Sequence, residues 1–156
     1  MQPGVEENLK VVAHMRDGKL IKGYLNSLPS VELRLLKQQP VTIPEKVRVA
    51  EDGSGASIEL ATDALKALFF VKSFEGRTNY KEVKFFNVTP EYEGLWVQVR
   101  YYDNEVTEGL VHNGIETFNG SGFLLKPPDP LSNNEIAYVL KRSLVEMRVL
   151  GVKASF

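Results

Sequence analysis

The stretch LKVVAHMRDGKLIKGYL, residues 9–25, can be laid over LWVQVRYYDNEVTEGLV, residues 95–111, at a constant offset of 86 positions. Leu9 then falls on Leu95, Val11 on Val97, Ala13 on Val99 and Met15 on Tyr101. These positions alternate, so in an extended strand each set projects from one face. Asp17-Gly18 in the first copy and Asp103-Asn104 in the second follow the run, and such pairs accept the positive φ of a tight hairpin turn. Each copy therefore opens with a hairpin. Gly23 and Gly109 lie inside the second strand, where a missing Cβ weakens a strand unless it must bend or bulge. A bent second strand is what a small barrel requires.

The likeness continues along the chain. VELRLL at 31–36 matches GFLLK at 122–126 as a third strand, and IELATDALKALFFV at 58–71 matches IAYVLKRSLVEMRVL at 136–150. A hairpin with strands near Val47–Val49 and Ser57–Leu60, tipped by EDGSGA, reads as an extra feature of the first copy. Thr62 or Asp63 is placed to cap one helical turn before the LFFV strand. Val83, Phe85, Phe86 and Val88 make residues 76–93 an ordered connection, with EVKFFN as a further strand. The expected fold is all-β: two small barrels packed together, over residues 1–75 and 94–156, with one short helical turn.

Bulk composition narrows the function. A 156-residue chain with 43% hydrophobic residues can build a real core. A net charge of −1 supplies no global field toward polyanions or anionic membranes. The absence of cysteine removes disulfides, thiolate metal sites and a Cys nucleophile, and suits a reducing compartment. MQPGVEENLK lacks a basic segment followed by an apolar run, and the expected location is the cytoplasm.

VVAHMRDGKLIKGYL resembles the first signature of Sm-like small β-barrels, and WVQVRYYDNEVTEGLV repeats it with Asn104 in place of the glycine. LKALFFVKSFEG at 65–76 and KPPDPLSNNEIAYVL at 126–140 extend the resemblance to a bacterial family of uncharacterised Sm-like domains. It implies tandem small barrels and brings no ligand or reaction. The acidic, Asn and Arg-Gly positions of RNA-binding Sm proteins have no counterpart in NSLPS (26–30), LFFVKSFEG or MRVLGVK.

No constellation requires catalysis, a cofactor or a metal. Asp17 and Asp103 sit where turn chemistry wants aspartate. His14 and His112, the only imidazoles, occupy non-equivalent positions, and His14 falls on the strand face opposite Val11 and Ala13. DGSG at 52–55 and NGSG at 119–122 read as turns rather than ion or phosphate loops, and no G-x-S-x-G is present. KPPDP at 126–130 ends a strand. Adjacent aromatics, Phe69-Phe70, Phe85-Phe86 and Tyr101-Tyr102, place one ring in a core and leave the other needing cover.

The expectation is a non-catalytic binding or scaffolding module for a protein partner or a second copy, with Tyr102, Phe86, Asn133 and Asn134 as its candidate surface. Two alternatives stand beside it. One is nucleic-acid binding through Lys37, Lys46 and Arg48, or through Lys141, Arg142, Arg148 and Lys153. The other is a small ligand in the groove between the barrels.

Overall fold

The computed structural model describes residues 9–25, 45–75, 94–129 and 132–153. In chain order the strands are β1 (Leu9–Met15), β2 (Leu20–Leu25), β3 (Lys46–Glu51), β4 (Ser57–Ala61), β5 (Leu65–Val71), β6 (Gly94–Tyr101), β7 (Val106–Val111), β8 (Gly122–Leu125), β9 (Asn134–Leu140) and β10 (Leu144–Lys153). Every pairing is antiparallel. One sheet runs β4-β3-β2-β1-β5-β9-β8 and the other β10-β6-β7.

Both hairpins form as the sequence indicates. Leu9 faces Leu25 and Val11 faces Gly23, while Leu95 faces Val111 and Val97 faces Gly109. Gly18 and Asn104 take the positive φ values, 92° and 70°. Asp17 Oδ1 accepts the Lys19 backbone N–H at 2.9 Å and Asp103 Oδ1 accepts that of Glu105 at 3.2 Å, so both aspartates hold their turns. The last strands repeat as well: β1 takes Val11–Phe70, Ala13–Leu68 and Met15–Leu65, and β6 takes Val97–Val149, Val99–Met147 and Tyr101–Leu144. Each has a bulge at the same place, leaving Lys66 and Val145 as the extra residues, and β10 has a second one against β6 at Leu150.

The third strands correct the sequence reading. β3 and β4 pair Val47 with Leu60 and Val49 with Ile58, as β8 and β9 pair Phe123 with Val139 and Leu125 with Ala137. The hairpin tipped by EDGSGA is thus the counterpart of β8–β9 and not an addition, and GFLL answers β3 rather than VELRLL. Residues 31–36 and the EVKFFN segment lie outside the described residues. Gly23 and Gly109 owe their identity to this strand. A Cβ at Gly23 would stand 2.3 Å from the Ala50 carbonyl oxygen, and one at Gly109 2.4 Å from Leu125 Cδ2.

Two closed barrels are not what the strands build. The edge of β5 away from β1 is taken by β9 from the other half, and beyond β6, β7 is bridged only to Lys126, just past β8, by Leu110. Among the described residues both sheets stay open. β8 and β9 consequently feed two cores by alternation. Leu124, Ile136, Tyr138 and Leu140 join the first, with Val11, Leu68 and Phe70. Phe123, Leu125, Ala137 and Val139 join the second, with Val97, Val99 and Tyr101. A strand covered on both faces reads as a continuous apolar run, which is what IAYVL is.

The expected helical turn is a 3-10 turn at Thr62–Ala64 with no side-chain cap; Leu65 N–H closes it on the Thr62 carbonyl. Lys141–Ser143 repeats it in the other half. A short helix, α1 (Ile115–Asn119), absent from the sequence reading, takes in Asn119 of NGSG, and Gly120 and Ser121 turn the chain into β8 at Gly122.

Candidate functional site

Lys66 is the one charge in an otherwise apolar strand, LKALFFV, and the bulge re-aims it toward the second half. Its side chain is 9% exposed, and Nζ donates to Asp103 Oδ2 at 2.7 Å and to Glu105 Oε2 at 2.8 Å. The ammonium also lies 4.6 Å from the centroid of the buried Tyr101 ring. Burial lowers the affinity of Lys66 for its proton, but the two carboxylate hydrogen bonds together outweigh it, and the net shift is upward. The hydrogen bond from Lys66 holds Asp103 below the ordinary carboxylate value. Burial, with help from Glu105, raises the Tyr101 phenol. Each group is thereby held in its ordinary charge state at neutral pH, as an electrostatic clamp requires.

His14 borders this cluster. Its ring lies 4.5 Å from that of Phe69, and burial, followed by the nearby Lys66 charge, lowers its pKa. His14, Phe69, Tyr101, Glu105 and Pro127 line a narrow cleft of about 140 Å³ between the halves. On the other side of His14, Arg16, Asp17, Lys66, Tyr102 and Asp103 line a wider one of about 390 Å³.

A second set of contacts joins the halves around the clefts. Tyr102 stacks under the Arg16 guanidinium at 4.9 Å, and its hydroxyl donates to the Arg16 carbonyl at 3.2 Å. Arg142 pairs with Asp63 at 2.9 Å. Asn133 joins the ends of β5 and β9: its Oδ1 accepts from Ser73 N at 3.0 Å, and its Nδ2 donates to the Ser73 carbonyl at 2.9 Å. Asn134 pairs with Val71 and reaches the narrow cleft. Tyr102, Asn133 and Asn134 therefore bind the halves to each other, and Phe86 lies outside the described residues. His112 lines neither cleft, and its Nδ1 is buried without a hydrogen-bond partner.

Sequence reasoning missed Lys66 and Glu105. The available signal was Lys66 itself, a charge where the equivalent position holds Val145.

β10 is the other distinctive surface. Val145, Val149, Leu150 and Val152 are 55%, 49%, 44% and 61% exposed. The β5 counterpart of Val149 by the shared register is Phe70, at 3% exposure. The difference is β9, which pairs with β5; among the described residues nothing pairs with the outer edge of β10.

Among the described residues no helix is long and apolar enough to cross a membrane, and no group of three or more His, Asp or Glu gathers as a metal site. Fold and site define an all-β protein of two antiparallel sheets, clamped at a buried ammonium and carrying an exposed apolar edge strand, β10. Residues 7–151 match the model of a family of unknown function, DUF6982, and the chain belongs to that family. No curated protein and no solved structure matches it.

Proposed function

We propose that the chain is a tandem of two Sm-like five-strand units serving as a non-catalytic binding or scaffolding module, and that it engages a protein by strand addition at β10. The observation that carries this reading is the contrast between β5, covered by β9, where Phe70 is buried, and β10, where the equivalent Val149 and its neighbours Val145, Leu150 and Val152 are exposed. An exposed apolar edge offers unpaired N–H and C=O groups together with side-chain area, the two things strand addition uses. Of the cations expected to form a basic face, Lys46 and Arg48 pair with Glu59, Arg142 with Asp63 and Arg148 with Glu146, which favours a protein partner over a nucleic acid.

The test is titration of the dilute full chain with a synthetic peptide of residues 134–140, the strand that covers the equivalent edge. Trp96, the only tryptophan, faces Gly151 of β10 and reports on it. Binding should change Trp96 emission and slow hydrogen exchange in β10, and Val149→Lys should abolish both effects. A peptide that leaves Trp96 and the β10 amides unchanged would sink the reading.

A further inference from the structure

Residues 144–150 of β10 read Leu-Val-Glu-Met-Arg-Val-Leu, the same in both directions about Met147 except that Glu146 exchanges with Arg148. Antiparallel pairing of this strand with its own copy, about a two-fold axis at Met147, sets like against like where the residues are apolar. Met147 faces itself at the centre of the regular run Glu146–Val149, and the bulged residues Val145 and Leu150 flank it, bringing Val145 to Val149 and Leu144 to Leu150. Where the residues are charged, Glu146 of each chain faces Arg148 of the other. Opposite charges directly across a ladder stabilise the pairing, and an isologous interface must be self-complementary in this way. In the single chain Arg148 Nε already meets Glu146 Oε1 at 2.8 Å, so the dimer joins two such pairs into a four-charge network.

We propose that β10 is a homodimer interface, pairing antiparallel with β10 of a second copy about Met147 and extending the three-stranded sheet across the dimer as β7-β6-β10-β10-β6-β7. This rests on the reading of β10 as a binding edge and names its occupant. The internal β5–β9 pairing suggests a rival, β4 of another copy, because β4 is the counterpart of β9. Chemistry rejects it. β9 offers Ile136, Tyr138 and Leu140 to the core it covers, whereas the corresponding positions of β4 are Ser57, Glu59 and Ala61. Glu59 is held by Lys46 at 3.4 Å and by Arg48 at 3.8 Å, as befits an edge that stays in water.

Sedimentation of the full chain over a concentration series tests the assignment. The wild type should dimerise. Arg148→Glu places carboxylate opposite carboxylate and Glu146→Arg places guanidinium opposite guanidinium, so either should raise the dissociation constant by about tenfold or more. An equimolar mixture of the two variants should dimerise again, because each then faces its opposite, and the double variant E146R/R148E should behave like wild type. Circular dichroism and Trp96 emission confirm that each variant is folded, and rescue on mixing cannot arise from a change within one chain. A chain that stays monomeric throughout overturns the proposal. If the 134–140 peptide still engages β10 in that case, only the second-copy assignment falls; if it does not, the edge-binding reading falls too. Association that ignores both charge reversals and is lost on Glu59→Lys would assign the head-to-tail rival and overturn the dimer.

Discussion

At Lys66 three charges meet with very unequal access to water, and that inequality decides which loss is worse. The ammonium is 9% exposed, whereas Asp103 and Glu105 are 42% and 43% exposed and can hydrate if left alone. Lys66→Ala should therefore cost about 2 kcal/mol in urea unfolding. Asp103→Asn with Glu105→Gln, which removes both counter-charges and leaves the buried ammonium only neutral amide oxygens and the Tyr101 ring, should cost about 3 kcal/mol. Equal losses from both would contradict a clamp centred on the lysine. His14 adds a pH dependence of definite sign. Burial depresses its folded pKa below the ordinary 6.5, so the unfolded chain takes up the proton first as the solution is acidified. Its contribution is present above that value and is lost as pH falls through the folded pKa. Wild-type thermal midpoints should drop on acidification through this range, and His14→Phe, which keeps the stacking on Phe69 without a titratable ring, should flatten that part of the profile. The roles of Asp17 and Asp103 in their turns could be read from sequence because each turn bond spans two residues. The Lys66–Asp103 bond spans 37, and no local pattern announces it.

Elements differ in how openly the sequence declares them. β1, β2, β6 and β7 were legible because each hairpin combines alternation with turn residues that need positive φ. The third strands were not, for a reason of burial. β3 alternates apolar with charged residues because one of its faces meets solvent, as Val47 and Val49 are buried while Lys46 and Arg48 are exposed. β8, Gly-Phe-Leu-Leu, is buried throughout. Two strands in equivalent places thus carry unlike sequences, and VELRLL resembles β8 more than β3 does. The glycines of the second strands test the corrected assignment. At Gly23 the obstruction to a Cβ is the Ala50 carbonyl oxygen at 2.3 Å, a backbone atom that cannot step aside. At Gly109 the nearest atom is Leu125 Cδ2 at 2.4 Å, which can rotate, with the Lys126 oxygen at 2.7 Å behind it. Gly23→Ala should cost about 3 kcal/mol and Gly109→Ala about 2 kcal/mol, measured by chemical denaturation. A free strand bend with no third strand behind it would tolerate alanine at both.

Across the whole molecule, the division into halves at the connecting segment that the sequence suggests does not describe how the cores are built. β9 lies between them, sending Ile136, Tyr138 and Leu140 one way and Ala137 and Val139 the other, while its edges bind β5 and β8. A strand that completes both cores cannot leave one without leaving the other, so the described sheets should unfold as a single cooperative unit. The location of Trp96 makes this measurable. It belongs to β6, whose Val97 and Val99 lie in the second core, whereas Leu68 is fully buried in the first. Leu68→Ala should remove about 3 kcal/mol through lost burial and a residual cavity. If the halves are one unit, Trp96 fluorescence and far-ultraviolet circular dichroism should both report that loss, with coincident urea transitions. If the halves fold separately, the Trp96 transition should remain at its wild-type midpoint while the circular dichroism curve splits in two. Tyr138→Ala, made on the shared strand, should shift both signals together.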